Sequence, residues 1–137
     1  MKYDDASWHY GGEFPSESPQ EYGGTHIGVF LRWCFIKGWA GDLHTEEEND
    51  AVEAVVRGEM SGTAFLFKYC DGKFTDEDLN DAGNSFVSTY YESDYTGDYV
   101  ELFADQMYVA PESAHDVDKL FRVLDKRLGA KPWWRFW

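Results

Sequence analysis

Thr25-His26-Ile27-Gly28-Val29-Phe30-Leu31-Arg32-Trp33-Cys34-Phe35-Ile36-Lys37 contains a strongly apolar run, Ile27 to Ile36, interrupted by Arg32. Wound at 3.6 residues per turn, Ile27, Val29, Phe30, Leu31, Trp33, Cys34, Phe35 and Ile36 cover nearly every face, so the helix they form must be surrounded by others. Thr25 is placed to cap its start, and Gly38 to take the left-handed position after its end. The segment therefore predicts a central helix in a mainly α fold.

Toward the C-terminus the same logic yields further helices. Thr45 with Glu48 reads as a capping box for a helix to about Arg57, with Ala51, Val52, Val55 and Val56 as its apolar stripe. The run from Gly62 to Cys70 fits a short helix or a strand, and helix is favoured. Phe74 as staple and Thr75 as N-cap open a helix reaching about Tyr91, with Leu79, Ala82, Phe86 and Tyr90 on one face. Asp94 to Gly97 reads as a loop, Tyr99 to Ala104 as a short helix, and Gln106 to Ala110 as extended, because Pro111 disfavours helix before it. Ser113 with Asp116 reads as the box of a last helix, whose face is Val117, Leu120, Phe121, Leu124 and Leu128. Gly129 and Pro132 end it.

Residues 1–24 carry Gly11, Gly12, Pro15, Pro19, Gly23 and Gly24 and no helical period. Tyr3, Trp8, Tyr10 and Phe14 predict that this irregular lead-in lies across the body, with Trp8 worth about 3–5 kcal/mol if its ring is fully buried. The whole is read as a single domain spanning residues 1–137, a bundle of five or six helices with at most a minor sheet.

Charge narrows the function. The 137 residues hold 26 Asp and Glu against 12 Lys and Arg, a net charge of −14, which disfavours direct binding of nucleic acid or of an anionic membrane. The acids concentrate between Asp71 and Asp105, where Lys73 is the sole base, while bases gather from Lys119 to Arg135. An acidic face on Asp76, Asp78, Asp81, Asp94, Asp98, Glu101 and Asp105 is thus the expected docking surface for a basic partner. The terminal Trp133-Trp134-Arg135-Phe136-Trp137 either closes the core or serves as an alternative interface through Trp133, Trp134, Arg135 and Trp137.

Motif chemistry is sparse. No G-x-G-x-x-G, G-K-[ST] or G-x-S-x-G occurs, so no cofactor is expected. Asp76 to Asp81 fails as a calcium loop, since Asp81 stands where that loop needs glycine and Val87 where it needs glutamate. His9, His26, His44 and His115 lack the short spacing of a zinc site, and Cys34 and Cys70 read as buried thiols, so no metal is expected. Asp4, Asp5 and His9 form the one group suited to acid–base work, and the same proximity serves equally to hold a histidine structurally. The acidic N-terminus is unlike a secretory signal, and Ile27 to Ile36 falls short of the roughly 20 apolar residues of a membrane span. A cytoplasmic location follows as the expectation.

The string Lys2-Tyr3-Asp4-Asp5-Ala6-Ser7-Trp8-His9-Tyr10-Gly11-Gly12, then Phe14-Pro15 and Thr25-His26-Ile27-Gly28, resembles an uncharacterised family of small acidic bacterial proteins that share this signature. Asp4, Asp5, Trp8, His9 and Tyr10 carry the resemblance, which covers about the first 40 residues best. The resemblance implies a context beside polymorphic toxin genes, where such proteins look like immunity proteins. The leading expectation is accordingly a non-enzymatic protein that occludes a cognate, basic toxin. The alternatives are a small enzyme using Asp4, Asp5 and His9, or an adaptor docking through its aromatic terminus.

Overall fold

A computed structural model describes residues 1–11 and 14–129 of the chain. Its centre is α1, Thr25–Ile36, buried at every residue except Arg32 and Ile36. Around it stand α2 (Asp42–Glu47), α3 (Asn49–Arg57), α4 (Gly62–Tyr69), α5 (Asp81–Tyr90), α6 (Thr96–Phe103) and α7 (Val117–Gly129). A π-helical turn, Tyr91–Tyr95, fuses α5 and α6 into one rod, so the mainly α reading holds. The minor sheet is β1 (Lys2–Asp5) antiparallel to β2 (Lys73–Thr75), with a register shift between Lys2 and Asp4.

The tightest packing is α1 on α4. A methyl group on Gly28 would overlap the backbone of Thr63, and one on Gly62 would overlap the carbonyl of Gly28, so the two backbones meet where side chains are absent. Gly38 takes the left-handed conformation expected of it, with φ 80°. Residues 62–69 are helix, the favoured of their two readings.

Several boundaries differ from those the sequence predicts. Thr25 is the first residue of α1 rather than its cap: the Gly28 N–H already bonds the Gly24 carbonyl, and the Thr25 hydroxyl donates to the Ala110 carbonyl at 3.3 Å. The Thr45–Glu48 box does not form, because the Glu48 carboxylate is taken by His44 and α2 begins earlier, at Asp42. Thr75 does form its capping box, with Asp78, but it caps only a 3-10 turn. Leu79 then bridges to Ala40, and α5 restarts under an Asn80 cap.

The loop expected at 94–97 is helical. Phe86 and Tyr90 step by four, and Tyr91, Tyr95, Tyr99 and Phe103 step by four again, one residue out of phase; the extra residue of the π turn absorbs the offset and buries both series. Residues 106–110 form turns rather than an extended segment, and Tyr108 sits at φ 66°. Ser113 lies in a 3-10 turn, Glu112–Ala114, and α7 starts at Val117. Tyr3 and Tyr10 pack against the core as predicted, whereas Trp8 is 60% exposed, its ring beneath the Lys2 ammonium. Trp133, Trp134, Arg135 and Trp137 lie outside the described residues.

Candidate functional site

β1 delivers Asp4 into the interior, where it gathers groups from four parts of the chain. Its Oδ1 accepts from His9 Nε2 at 2.8 Å and from the Asp5 backbone N–H at 2.8 Å. Its Oδ2 accepts from the Tyr91 hydroxyl at 2.7 Å, and Tyr91 reaches it because the π turn swings that residue inward. Burial would raise the Asp4 pKa, but hydrogen bonds and charge from the neighbouring imidazoles outweigh it and hold the carboxyl well below its usual range. Asp4 is therefore ionised. The other nitrogen of His9, Nδ1, bonds the hydroxyl of Tyr108 at 2.6 Å.

His26 completes the cluster. Its Nε2 is 3.4 Å from Asp4 Oδ2 but not aligned as a hydrogen bond, and neither ring nitrogen has a hydrogen-bond partner among the described residues, although the side chain is 1% exposed. The His9 and His26 rings meet edge to face at 4.4 Å between centroids. Burial lowers the His26 pKa against the pull of Asp4, and its place in the first turn of α1, at the positive end of the helix dipole, further disfavours the imidazolium. It is a neutral imidazole with an unused lone pair.

Tyr99 and His115 extend the same polar seam. His115 Nδ1 donates to the Pro111 carbonyl at 2.9 Å, which leaves Nε2 to accept from the Tyr99 hydroxyl at 2.5 Å.

A second cluster joins α2 to the turn before α5. His44 Nε2 donates to Asp78 Oδ1 at 2.7 Å and Nδ1 to Glu48 Oε2 at 3.0 Å, with Cys70 Sγ 3.7 Å from Nε2. Burial opposes the charge on His44, yet the two carboxylates raise its pKa. Burial pushes the Cys70 thiol strongly upward, reinforced by Asp78. Both His44 nitrogens are committed, so this cluster is a clasp. Cys34 and Cys70 are free thiols, the former buried.

Of the sequence-predicted groups, Asp4 and His9 come together but Asp5 does not join them: its carboxylate accepts from Ser7 and Lys2, capping the turn after β1. His26 takes the third place. The expected acidic face also needs correction. Asp78 is buried against His44, and Asp98 is buried where it accepts from Tyr90 at 2.6 Å and bidentately from Arg127 at 2.9 Å, so neither belongs to an exposed surface. Asp76 pairs with the N-terminal ammonium at 2.8 Å. Asp81, Asp94, Glu101 and Asp105 are exposed along the α5–α6 rod and the turn after it, joined by Glu92, and none makes an ion pair among the described residues.

Residues 2–115 match a family described as Domain of unknown function (DUF7832). No curated protein and no solved structure matches the chain. No helix among the described residues is long and apolar enough to cross a membrane.

Proposed function

We propose that this chain, which belongs to the DUF7832 domain family, is a cytoplasmic, non-catalytic binding protein of the immunity type that occludes a basic toxin. The observation that supports the reading is the α5–α6 rod and the turn after it, along which Asp81, Glu92, Asp94, Glu101 and Asp105 stand exposed with no ion pair within 4 Å among the described residues. Exposed charges of one sign on a rigid element create a field that raises the encounter rate with a cationic surface and competes for a groove that would otherwise bind phosphates. Trp8, exposed beside the N-terminal turn, is of the residue type that anchors interfaces.

The test is genetic. The reading frame adjacent to this gene, expressed alone, should arrest growth, and co-expression of this chain should relieve the arrest. Neighbouring frames without toxicity, or toxicity unrelieved, would contradict the reading.

A second reading, a small enzyme, is favoured by one specific observation: an ionised Asp4 between two histidines, one of them without a hydrogen bond among the described residues. Adaptor docking through the tryptophan-rich end concerns residues outside those described.

A further inference from the structure

We propose that Asp4, His9 and His26 bind a divalent transition-metal ion of the zinc class, stapling β1 and the turn after it to the first turn of α1. This inference is independent of the toxin-binding reading. It starts from an anomaly. A buried imidazole with no aligned hydrogen bond on either nitrogen among the described residues is costly, because water has been removed from both polar atoms and only the Asp4 carboxylate, 3.4 Å from Nε2, stands near. A metal ion on Nε2 supplies the missing partner.

The ligand chemistry is suited to such an ion. The site offers one ionised carboxylate and two imidazoles, a donor set typical of zinc and its neighbours in the first transition row and unlike the all-oxygen shells of calcium or magnesium. One donor atom from each residue can be chosen so that all lie within 4.8 Å of one another. His26 Nε2 and Asp4 Oδ2 are already 3.4 Å apart, close to the about 3.3 Å that separates two ligands bound to a tetrahedral ion at about 2.0–2.1 Å. His9 Nε2 and Asp4 Oδ1, at 2.8 Å, need only open slightly as the proton between them leaves.

The surroundings orient two of the three ligands by hydrogen bonds, and His26 is held by its burial in the first turn of α1. The Tyr91 hydroxyl and the Asp5 N–H hold the two Asp4 oxygens. Tyr108 holds His9 through Nδ1; once Nε2 ligates, Nδ1 carries the proton and the Tyr108 oxygen accepts it, a change of role open to a hydroxyl. Three protein ligands leave a fourth position for water, and the half-buried side of His9 gives the ion a way in. The other histidine cluster does not compete: both His44 nitrogens already donate to carboxylates, and the Cys70 thiol is held protonated.

The experiment takes chelator-stripped full-length protein and titrates it with Zn2+ alone, reading stoichiometry by calorimetry and stabilisation by a melting curve, then with Co2+, reading the visible spectrum. Expected are one equivalent of Zn2+ per chain, a higher melting temperature, and a cobalt spectrum without the near-ultraviolet band of a sulfur ligand. His9→Gln, which removes a half-buried ligand and spares the core, should weaken binding by about a hundredfold or more while the apo melting curve stays close to wild type; Asp4→Asn should do the same if it folds, and Cys70→Ser should leave binding unchanged. Folded wild-type protein that takes up no stoichiometric metal, a His9→Gln variant of unaltered affinity, or a sulfur–cobalt band would overturn the proposal.

Discussion

Trp8 stands in water with the Lys2 ammonium 5.5 Å from its ring. An exposed indole under one cation contributes about 0.5–1 kcal/mol, so Trp8→Ala should lower stability by no more than about 1 kcal/mol in a denaturant titration. A loss near 3 kcal/mol would show that the ring is buried after all. Much of the residue-level site was hidden in the linear order of the chain. His9 lies five residues from Asp4 and could be paired with it by inspection, but Tyr91 is 87 residues away and depends on a π turn that no spacing rule announces. His26 belongs to an apolar helix, where a histidine reads as one more buried side chain until the fold sets it against a carboxylate. Asp78 and Asp98 mislead for the opposite reason: acids in an acidic stretch look solvated, and the histidine and arginine that pair with them come from other elements.

Between elements, two contacts carry the fold. At the α1–α4 crossing, Gly28→Ala drives a methyl into the backbone of Thr63, which has no flexible end to move aside. The variant should lose about 3 kcal/mol or more and melt well below wild type; a melting temperature within a degree or two of wild type would contradict so close a crossing. The clasp of His44 on Asp78 and Glu48 makes stability depend on pH in a defined window. Because the folded-state pKa of His44 is raised above 6.5, its contribution is complete below that value and fades as pH rises through the folded pKa. His115, whose pKa burial lowers, acts in the opposite sense and below 6.5, so the windows do not overlap. As pH rises above about 6.5 and through the raised folded-state pKa, the wild type should lose stability relative to His44→Gln, read from paired melting curves. A constant difference would mean that the clasp does not raise the His44 pKa. Helix identity was legible because apolar period and caps are local. The boundaries at Thr25, Thr45 and Ser113 were not, since Glu48 and the Thr25 hydroxyl found partners that the local pattern does not contain.

Over the whole molecule, a net charge of −14 is carried unevenly, with the α5–α6 rod holding exposed acids and α7 supplying Arg127 to Asp98 at the rod's inner side. The composition revealed the imbalance directly, but only the fold separates the acids that project outward from those that lock helices together. Steering by the outward set reaches about 30 Å at 0.01 M salt and only about 8 Å at 0.15 M, whereas contacts inside a formed complex are screened far less. The most direct measurement is therefore the association rate with the protein encoded beside this gene, at low and at physiological salt, for wild type and for the triple variant Asp94→Asn, Glu101→Gln, Asp105→Asn, each first shown to melt normally. Those three carboxylates cap no helix and make no ion pair within 4 Å among the described residues, and Arg127, which Asp94 also reaches electrostatically, keeps its bidentate partner Asp98, so the fold should be spared. The predicted result is a slower on-rate for the variant at low salt and a flatter salt dependence, with dissociation little changed. A folded variant that associates at the wild-type rate at low salt would contradict the claim that this rod draws in a basic partner.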